Sequence, residues 1–545
     1  MTIPLSAPPE RFNFAGHLFA LNTGRAAKAA YIDNTGTLTY GALEDRSRRL
    51  ASGLIALGLR REERVLLLMH DGLAWPVAFL GCLAAGLVPV CVNTLLTATD
   101  YAYMLAHSRA QAVLVSGALL PTLQAALNDG PQEVRHIVVS QPVPAPIPPA
   151  DPVGAGGRST PGSPDPNWPR STALDFASLL QSPPLASCAD TAADDIAFWL
   201  YSSGSTGRPK GTVHSHANPY WTVQTYGRQV LGLRETDVVF SAAKLFFAYG
   251  LGNALSFPLA AGATTVLMAE RPTPTAVFQR LREHRPTVFF GVPTLYAAML
   301  AAPDLPSRED LALRLCASAG EALPRELGER FSRHVGCDVL DGIGSTEMLH
   351  IFLSNAPGEV HYGSSGRPVP GYEIALRGED GAPVADGEIG DLFIRGRSAA
   401  LMYWAQREKS LASFQGEWTR SGDKYVRDAN GIYTYAGRSD DMLKVSGQYV
   451  SPFEVEGALQ AHEAVLEAAV IGVADADGLT RVKACVVLKP GIEATAALEE
   501  TLKAFVKDRL APFKYPRRIE FLAELPKTAT GKIQRFKLRE RQAAA

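Results

Sequence analysis

The sequence predicts an α/β fold: a large, multi-subdomain amino-terminal domain with mostly parallel sheets, followed by a small α+β domain. Three observations carry this. At 545 residues the chain is too long for one core. Its first hundred residues alternate helical and strand-like patterns, with the strands apolar on both faces. Its character changes near Arg438, beyond which about a hundred residues read as short strands and helices.

Taken in order, Thr39 caps a predicted helix whose Leu43, Leu50, Leu54 and Leu57 share one face and which ends near Gly58. The apolar run between Arg64 and His70 reads as a buried strand. Residues Gly72 to Val92 carry no charge, but Pro76, Gly81, Gly86 and Pro89 interrupt them. They read as a buried helix over Ala74 to Ala85 and a strand over Leu87 to Val92, not as a membrane span. From Gln141 to Arg170, ten of thirty residues are proline, which predicts a semi-extended surface insertion. Strand-like sequence resumes at Ile196. Beyond Arg438, strands are expected around Ala468 and Val482, and a helix from Thr495 to Leu510.

Charge and composition narrow the function. A net charge of -2 gives no electrostatic reason to expect nucleic acid or an anionic membrane as partner. The six cysteines, at 82, 91, 188, 316, 337 and 485, show no zinc-like spacing. Together with an amino terminus that lacks a signal-peptide pattern, they fit a reducing cytoplasm.

The strongest local motif is YSSGSTGRPKGTV, Tyr201 to Val213, directly after an apolar strand. Ser202, Ser203, Gly204, Ser205, Thr206 and Gly207 are small enough for backbone N–H groups to close around phosphate oxygens, and Lys210 adds positive charge. The pattern is not that of a Walker loop. DGIGSTEML, Asp341 to Leu349, places Thr346 and Glu347 on a glycine-flanked turn, and a carboxylate beside phosphates is a natural Mg2+ anchor. Asp423, after Ser421 and Gly422, is read as a carboxylate following a turn, suited to the hydroxyls of a ribose. GRSDDMLKVSG holds Arg438, Asp440, Lys444 and Gly447, and PKTATGKIQR puts Lys532 on a glycine-bearing turn.

In this order the segments resemble the adenylate-forming superfamily of acyl-CoA synthetases, peptide-synthetase adenylation domains and luciferases, over nearly the whole chain. The resemblance implies a domain over 1–439 that binds acid and ATP, and a mobile domain over 440–545. It implies that Thr346 and Glu347 serve the α-phosphate and Mg2+, and that Asp423 holds the ribose with Arg438 over the nucleotide. Gly320, Glu321, Ala322, Asp341 and Gly342 would complete the nucleotide site. Lys532 would be the adenylation lysine and Asp440 the hinge. Rotation about that hinge would withdraw Lys532 and bring in Lys444, with Gly447 leaving room for a pantetheine arm.

Within the superfamily, KLFFAYGLGN and DGIGSTEMLHIFLSN look most like the benzoate-CoA ligase branch. Phe247 stands where many relatives carry histidine. Phe247, Tyr249, Ile343 and His350 are the expected acyl pocket, flat and aromatic enough for a benzoate ring. The expected activity is therefore ATP- and coenzyme A-dependent ligation of benzoate or a simple substituted benzoate, by a monomer or homodimer. A medium-chain aliphatic acid is the alternative substrate, and a non-catalytic nucleotide-binding regulator the alternative of a different class.

Overall fold

The computed structural model describes residues 5–140, 173–202, 209–439, 441–445, 448–474, 480–510, 514–527 and 533–543. The proline-rich stretch 141–170 lies outside them. The strands on either side of it, His136–Ser140 and Ala173–Asp175, are parallel neighbours, so the chain leaves and rejoins one sheet at one edge.

Two large sheets dominate the described residues. One runs, in spatial order, Met402–Tyr403, Lys210–Ser215, Ile196–Ser202, Val88–Cys91, Arg64–Leu68, Ala112–Ser116, His136–Ser140 and Ala173–Asp175. All its pairings are parallel except those made by Lys210–Ser215. The other has a parallel centre of Val339–Gly344, Leu315–Ser318, Val288–Gly291, Val238–Ser241, Thr264–Val266 and Ala29–Asp33, closed by antiparallel strands at both ends. Strands buried on both faces explain the continuous apolar runs: Val65, Leu66, Leu67 and Leu68 are all fully buried.

The local readings have clear physical counterparts. Thr39 accepts a hydrogen bond from the Ala42 N–H and starts the helix Tyr40–Ala56, which buries Leu43, Leu50 and Leu54. The uncharged segment forms the buried helix Ala74–Ala84 and strand Val88–Cys91. Among the described residues no helix is long and apolar enough to cross a membrane. A third sheet was not anticipated: Glu373–Arg377, Ile389–Arg395, Trp418–Arg427, Phe414–Gln415 and Tyr433–Arg438 pair antiparallel throughout. Asp423 consequently lies inside a strand, which corrects its reading as a residue after a turn; the positive φ of Gly422 is what looked like one.

The smaller carboxy-terminal unit pairs Val465–Ala474, Thr480–Leu488 and Arg518–Phe521, with helices Pro452–Gln460 and Ala496–Lys507 against them. Thr495 caps the second helix. Inside this unit the buried Glu456 receives two hydrogen bonds from Arg535 Nη2, at 2.9 and 2.7 Å, and one from the Val470 N–H at 2.7 Å. Asp441 binds Arg539 at 2.9 Å and lies 3.7 Å from Arg535. The last helix, Arg535–Ala543, is thereby fastened both to the sheet and to the chain's entry into the unit.

A comparable ion pair braces the larger sheet. Asp237, with 3% of its side chain exposed, binds Arg314 at 2.6 Å and 2.8 Å and accepts from the Arg234 N–H and the Thr287 hydroxyl. Burial alone would raise its pKa, but these donors hold the carboxyl below the usual range. Its contribution is complete above the unfolded carboxylate pKa and is lost as pH falls through the depressed folded value. Arg314→Ala leaves this carboxylate buried without its cation and should cost about 3 kcal/mol, read as a lower urea midpoint at neutral pH.

Candidate active site

Three chain segments from the two large sheets meet at Lys210, Glu347 and Tyr403. Lys210 begins the strand that follows the glycine/serine-rich segment, and Glu347 sits on the turn beyond Val339–Gly344. Tyr403 is delivered by the short strand Met402–Tyr403, which pairs with Thr212 and Val213. The tyrosine hydroxyl donates to Glu347 Oε1 at 2.7 Å, and Lys210 Nζ lies 3.0 Å from that hydroxyl and 3.4 Å from the same carboxylate oxygen. Burial works against the charged carboxylate, yet the Lys210 ammonium and the Tyr403 hydroxyl hold its pKa below the ordinary value. The site thus presents a mostly buried but ionised glutamate. Beside it, the Thr346 carbonyl accepts from Nε2 of His214, a fully buried ring whose pKa burial pushes down to about 4. Sequence reasoning missed Tyr403, because a tyrosine in ALMYW carries no local signal; only the strand pairing reveals it.

Arg438 and Asp423 face each other across paired strands, with Nη1 3.1 Å from Oδ1. Ser421 Oγ accepts from the Asp423 N–H at 3.0 Å. Burial raises the Tyr403 pKa, and the Arg438 charge opposes part of that rise. Asp341 and Gly342 lie in the strand that leads to Glu347. The Asp341 carboxyl is fully buried and its pKa is driven far up by loss of water; its Oδ1 has no hydrogen-bond partner among the described residues. Gly320 has φ +94°, a left-handed turn that leads into the half-buried Glu321 and Ala322 after the strand Leu315–Ser318.

The four predicted pocket residues come from two adjoining segments. Phe247 and Tyr249 are half-buried around the start of helix Ala248–Leu251, and Ile343 is half-buried on its strand. His350 is nearly fully buried. Its ring centroid lies 4.6 Å from Phe257, 5.1 Å from Tyr226 and 5.6 Å from Tyr249, and its Nε2 is 3.3 Å from the Tyr249 carbonyl. The carbonyl requires Nε2 to carry the proton. Burial pushes its pKa down to about 3, so the ring is neutral. Gly252 allows the approach, since a Cβ there would sit 2.3 Å from the histidine ring. Two π-helical stretches, Val223–Leu231 and Gly252–Ser256, carry Tyr226 and Gly252. The structure therefore joins His350 to Tyr249. Phe247 instead contacts Phe246, at 4.6 Å between rings.

Several predicted residues lie outside the described set: Ser203, Gly204, Ser205, Thr206, Gly207, Asp440, Gly447 and Lys532. Ser202 ends its strand. Lys444 belongs to the strand Leu443–Val445, paired with Gln448–Val450.

Comparison with known proteins identifies the family. Residues 20–404 match the AMP-binding enzyme family and residues 454–532 the AMP-binding enzyme C-terminal domain. The chain is 55% identical to a benzoate–CoA ligase of Thauera aromatica, covering 99% of this chain and 98% of that one. It is 48% identical to a 4-hydroxybenzoate–CoA/benzoate–CoA ligase of Rhodopseudomonas palustris, over 95% and 91% of the two chains. The crystal structure of a benzoate CoA ligase from Burkholderia xenovorans LB400 superposes with a TM-score of 0.87 at 60% identity, over 97% of this chain and all of that one. With both family domains matched and benzoate–CoA ligases similar along nearly its whole length, the chain belongs to the AMP-binding enzyme family and is an adenylate-forming acid–thiol ligase of its aryl-CoA branch.

Proposed function

We propose that the enzyme activates benzoate, or a simply substituted benzoate, with ATP, releases diphosphate, and transfers the aroyl group from AMP to coenzyme A. The 55% identity to the Thauera benzoate–CoA ligase along 99% of this chain is the observation that supports this choice of acid most strongly. The aromatic surroundings of Tyr249 and His350 suit a flat ring.

The chemistry follows from the charges. A carboxylate resists a thiol because oxide is a poor leaving group, and AMP is a good one. The benzoate oxygen attacks the α-phosphorus in line and diphosphate departs, so negative charge accumulates around that phosphorus. Lys532, charged at neutral pH by its reference pKa of about 10.4, is assigned to stabilise that charge, with Thr346 hydrogen-bonding the α-phosphate. Ser202 to Gly207 and Lys210 are assigned to the outgoing phosphates. Gly320, Glu321, Ala322, Asp341 and Gly342 are assigned to the adenine side, Asp423 to the ribose and Arg438 to the nucleotide's face.

An ionised carboxylate beside a threonine fits Mg2+, which keeps much of its water and takes phosphate oxygens. Among the described residues no cluster of three His, Cys, Asp or Glu is arranged for a metal, so one protein ligand, Glu347, with phosphates and water, is the fitting arrangement. When bound, the ion would neutralise phosphate charge. For the second step we assign residues 440–545 to a unit that turns about Asp440, withdrawing Lys532 and presenting Lys444, with Gly447 beside the pantetheine arm. A cytoplasmic enzyme, monomeric or homodimeric, is part of the same reading.

Diphosphate release with ATP and Mg2+ should be measured against benzoates, cinnamates and C2–C12 fatty acids, with and without coenzyme A. Benzoates should lead; hexanoate or octanoate in the lead would overturn the assigned acid. Lys532→Ala should slow acid-dependent diphosphate release by about 10²–10³-fold while sparing thioester formation from synthetic benzoyl-AMP. Equal loss of both steps would refute the division of labour. Phe247→Ala should raise KM for benzoate about tenfold with little change for ATP; an unaltered acid profile removes Phe247 from the pocket.

A further inference from the structure

The helix Ala98–Ser108 carries no residue of the predicted site, yet one of its faces grips both ends of the glycine/serine-rich segment. Its start is fixed by a reciprocal cap: Thr97 Oγ accepts from the Asp100 N–H, and the Asp100 carboxylate from the Thr97 N–H. Tyr103 and His107, one turn apart, stack with ring centroids 5.2 Å apart and planes 17° apart. The Tyr103 hydroxyl donates to the Pro209 carbonyl at 3.1 Å. His107 Nδ1 lies 2.8 Å from the Tyr201 hydroxyl, and its Nε2 lies 3.1 Å from the Trp404 carbonyl.

The partners assign the tautomer. A carbonyl only accepts, so Nε2 carries the proton, and Nδ1 of the neutral ring accepts the Tyr201 O–H. Burial lowers the His107 pKa, with help from Arg109 and Lys409 and against the Trp404 hydrogen bond, which keeps this neutral form at neutral pH. The backbone N–H of Trp404 in turn donates to the Gly211 carbonyl at 2.8 Å, and its ring packs at a tilt against Trp199 with centroids 4.6 Å apart. Its neighbour Tyr403 is the residue that holds Lys210 and Glu347.

Antiparallel pairing of Tyr201 with Gly211 and of Ser202 with Lys210 fixes the backbone on either side of the segment, and the helix adds side-chain contacts to those same strand ends. We propose that Tyr103 and His107 are positioning residues for the ATP phosphates: they brace Tyr201 and Pro209 beside the paired strand ends and, through Trp404, hold Tyr403 in register with Lys210 and Glu347. The proposal rests on the reading that residues 202–207 bind phosphate. Diphosphate is gripped only in the first half-reaction. Loss of the clamp therefore damages adenylation and spares thioester formation from a preformed aroyl-AMP, a separation that general loss of stability does not produce.

The test uses the full-length chain with His107→Ala, His107→Gln, Tyr103→Phe and Thr206→Ala, measuring ATP–diphosphate exchange, thioester formation from synthetic benzoyl-AMP and Tm. His107→Ala should raise KM for ATP about tenfold, with the second half-reaction within about twofold and the order of acids unchanged. His107→Gln, which can still donate to the Trp404 carbonyl, should recover part of the loss. Tyr103→Phe should cost about threefold through the Pro209 contact alone, and it carries the test if His107→Ala does not fold. Equal loss in both half-reactions, or an unchanged KM for ATP, overturns the proposal. A silent Thr206→Ala overturns the phosphate reading and the clamp with it; an effective Thr206→Ala beside silent His107 and Tyr103 variants overturns the clamp alone.

Discussion

The contact of Tyr403 with Lys210 and Glu347 is the point on which the site depends. Its members come from the two large sheets and from a strand added to the edge of one of them. The two sheets also share an apolar core, to which one gives Tyr31 and Leu38 and the other Val65, Leu67 and Leu114. What brings their ends into one site is a polar junction that excludes most water yet keeps its carboxylate charged. A buried carboxylate stays ionised only when a cation and hydrogen-bond donors offset its lost hydration, and here one lysine and one phenol supply both.

The surroundings of His350 are built on a different principle. Around His350 the stabilising contacts are ring on ring, and the histidine is kept neutral by burial with no carboxylate partner among its contacts. The charged group around Glu347 is therefore distinct from the uncharged aromatic group around His350. That division follows from which strand ends carry charged side chains and which carry aromatic ones.

Much of this was legible in the sequence. Runs such as Val65 to Leu68 reveal strands buried on both faces, and Thr39 and Thr495 reveal helix starts, because each obeys a local rule. The glycine-flanked motifs could be read for the same reason. The antiparallel sheet around Asp423 escaped because its strands are half-exposed and separated by turns, so pairing is decided by distant partners such as Asp391 with Lys424. Tyr403 and His107 escaped for a related reason. A tyrosine in an apolar strand and a histidine near a helix end read as ordinary packing, and only contacts spanning 56 to 297 residues give them their place.

The fastening of the last helix has a mechanical meaning. Glu456 joins Arg535 to the sheet through the Val470 amide, while Asp441 gathers Arg535 and Arg539 at the point where the chain enters the smaller unit. The buried carboxylate and its arginines thus join the last helix, the sheet and the segment at Asp441 into one stiff piece, in which none of the three shifts without straining the other two.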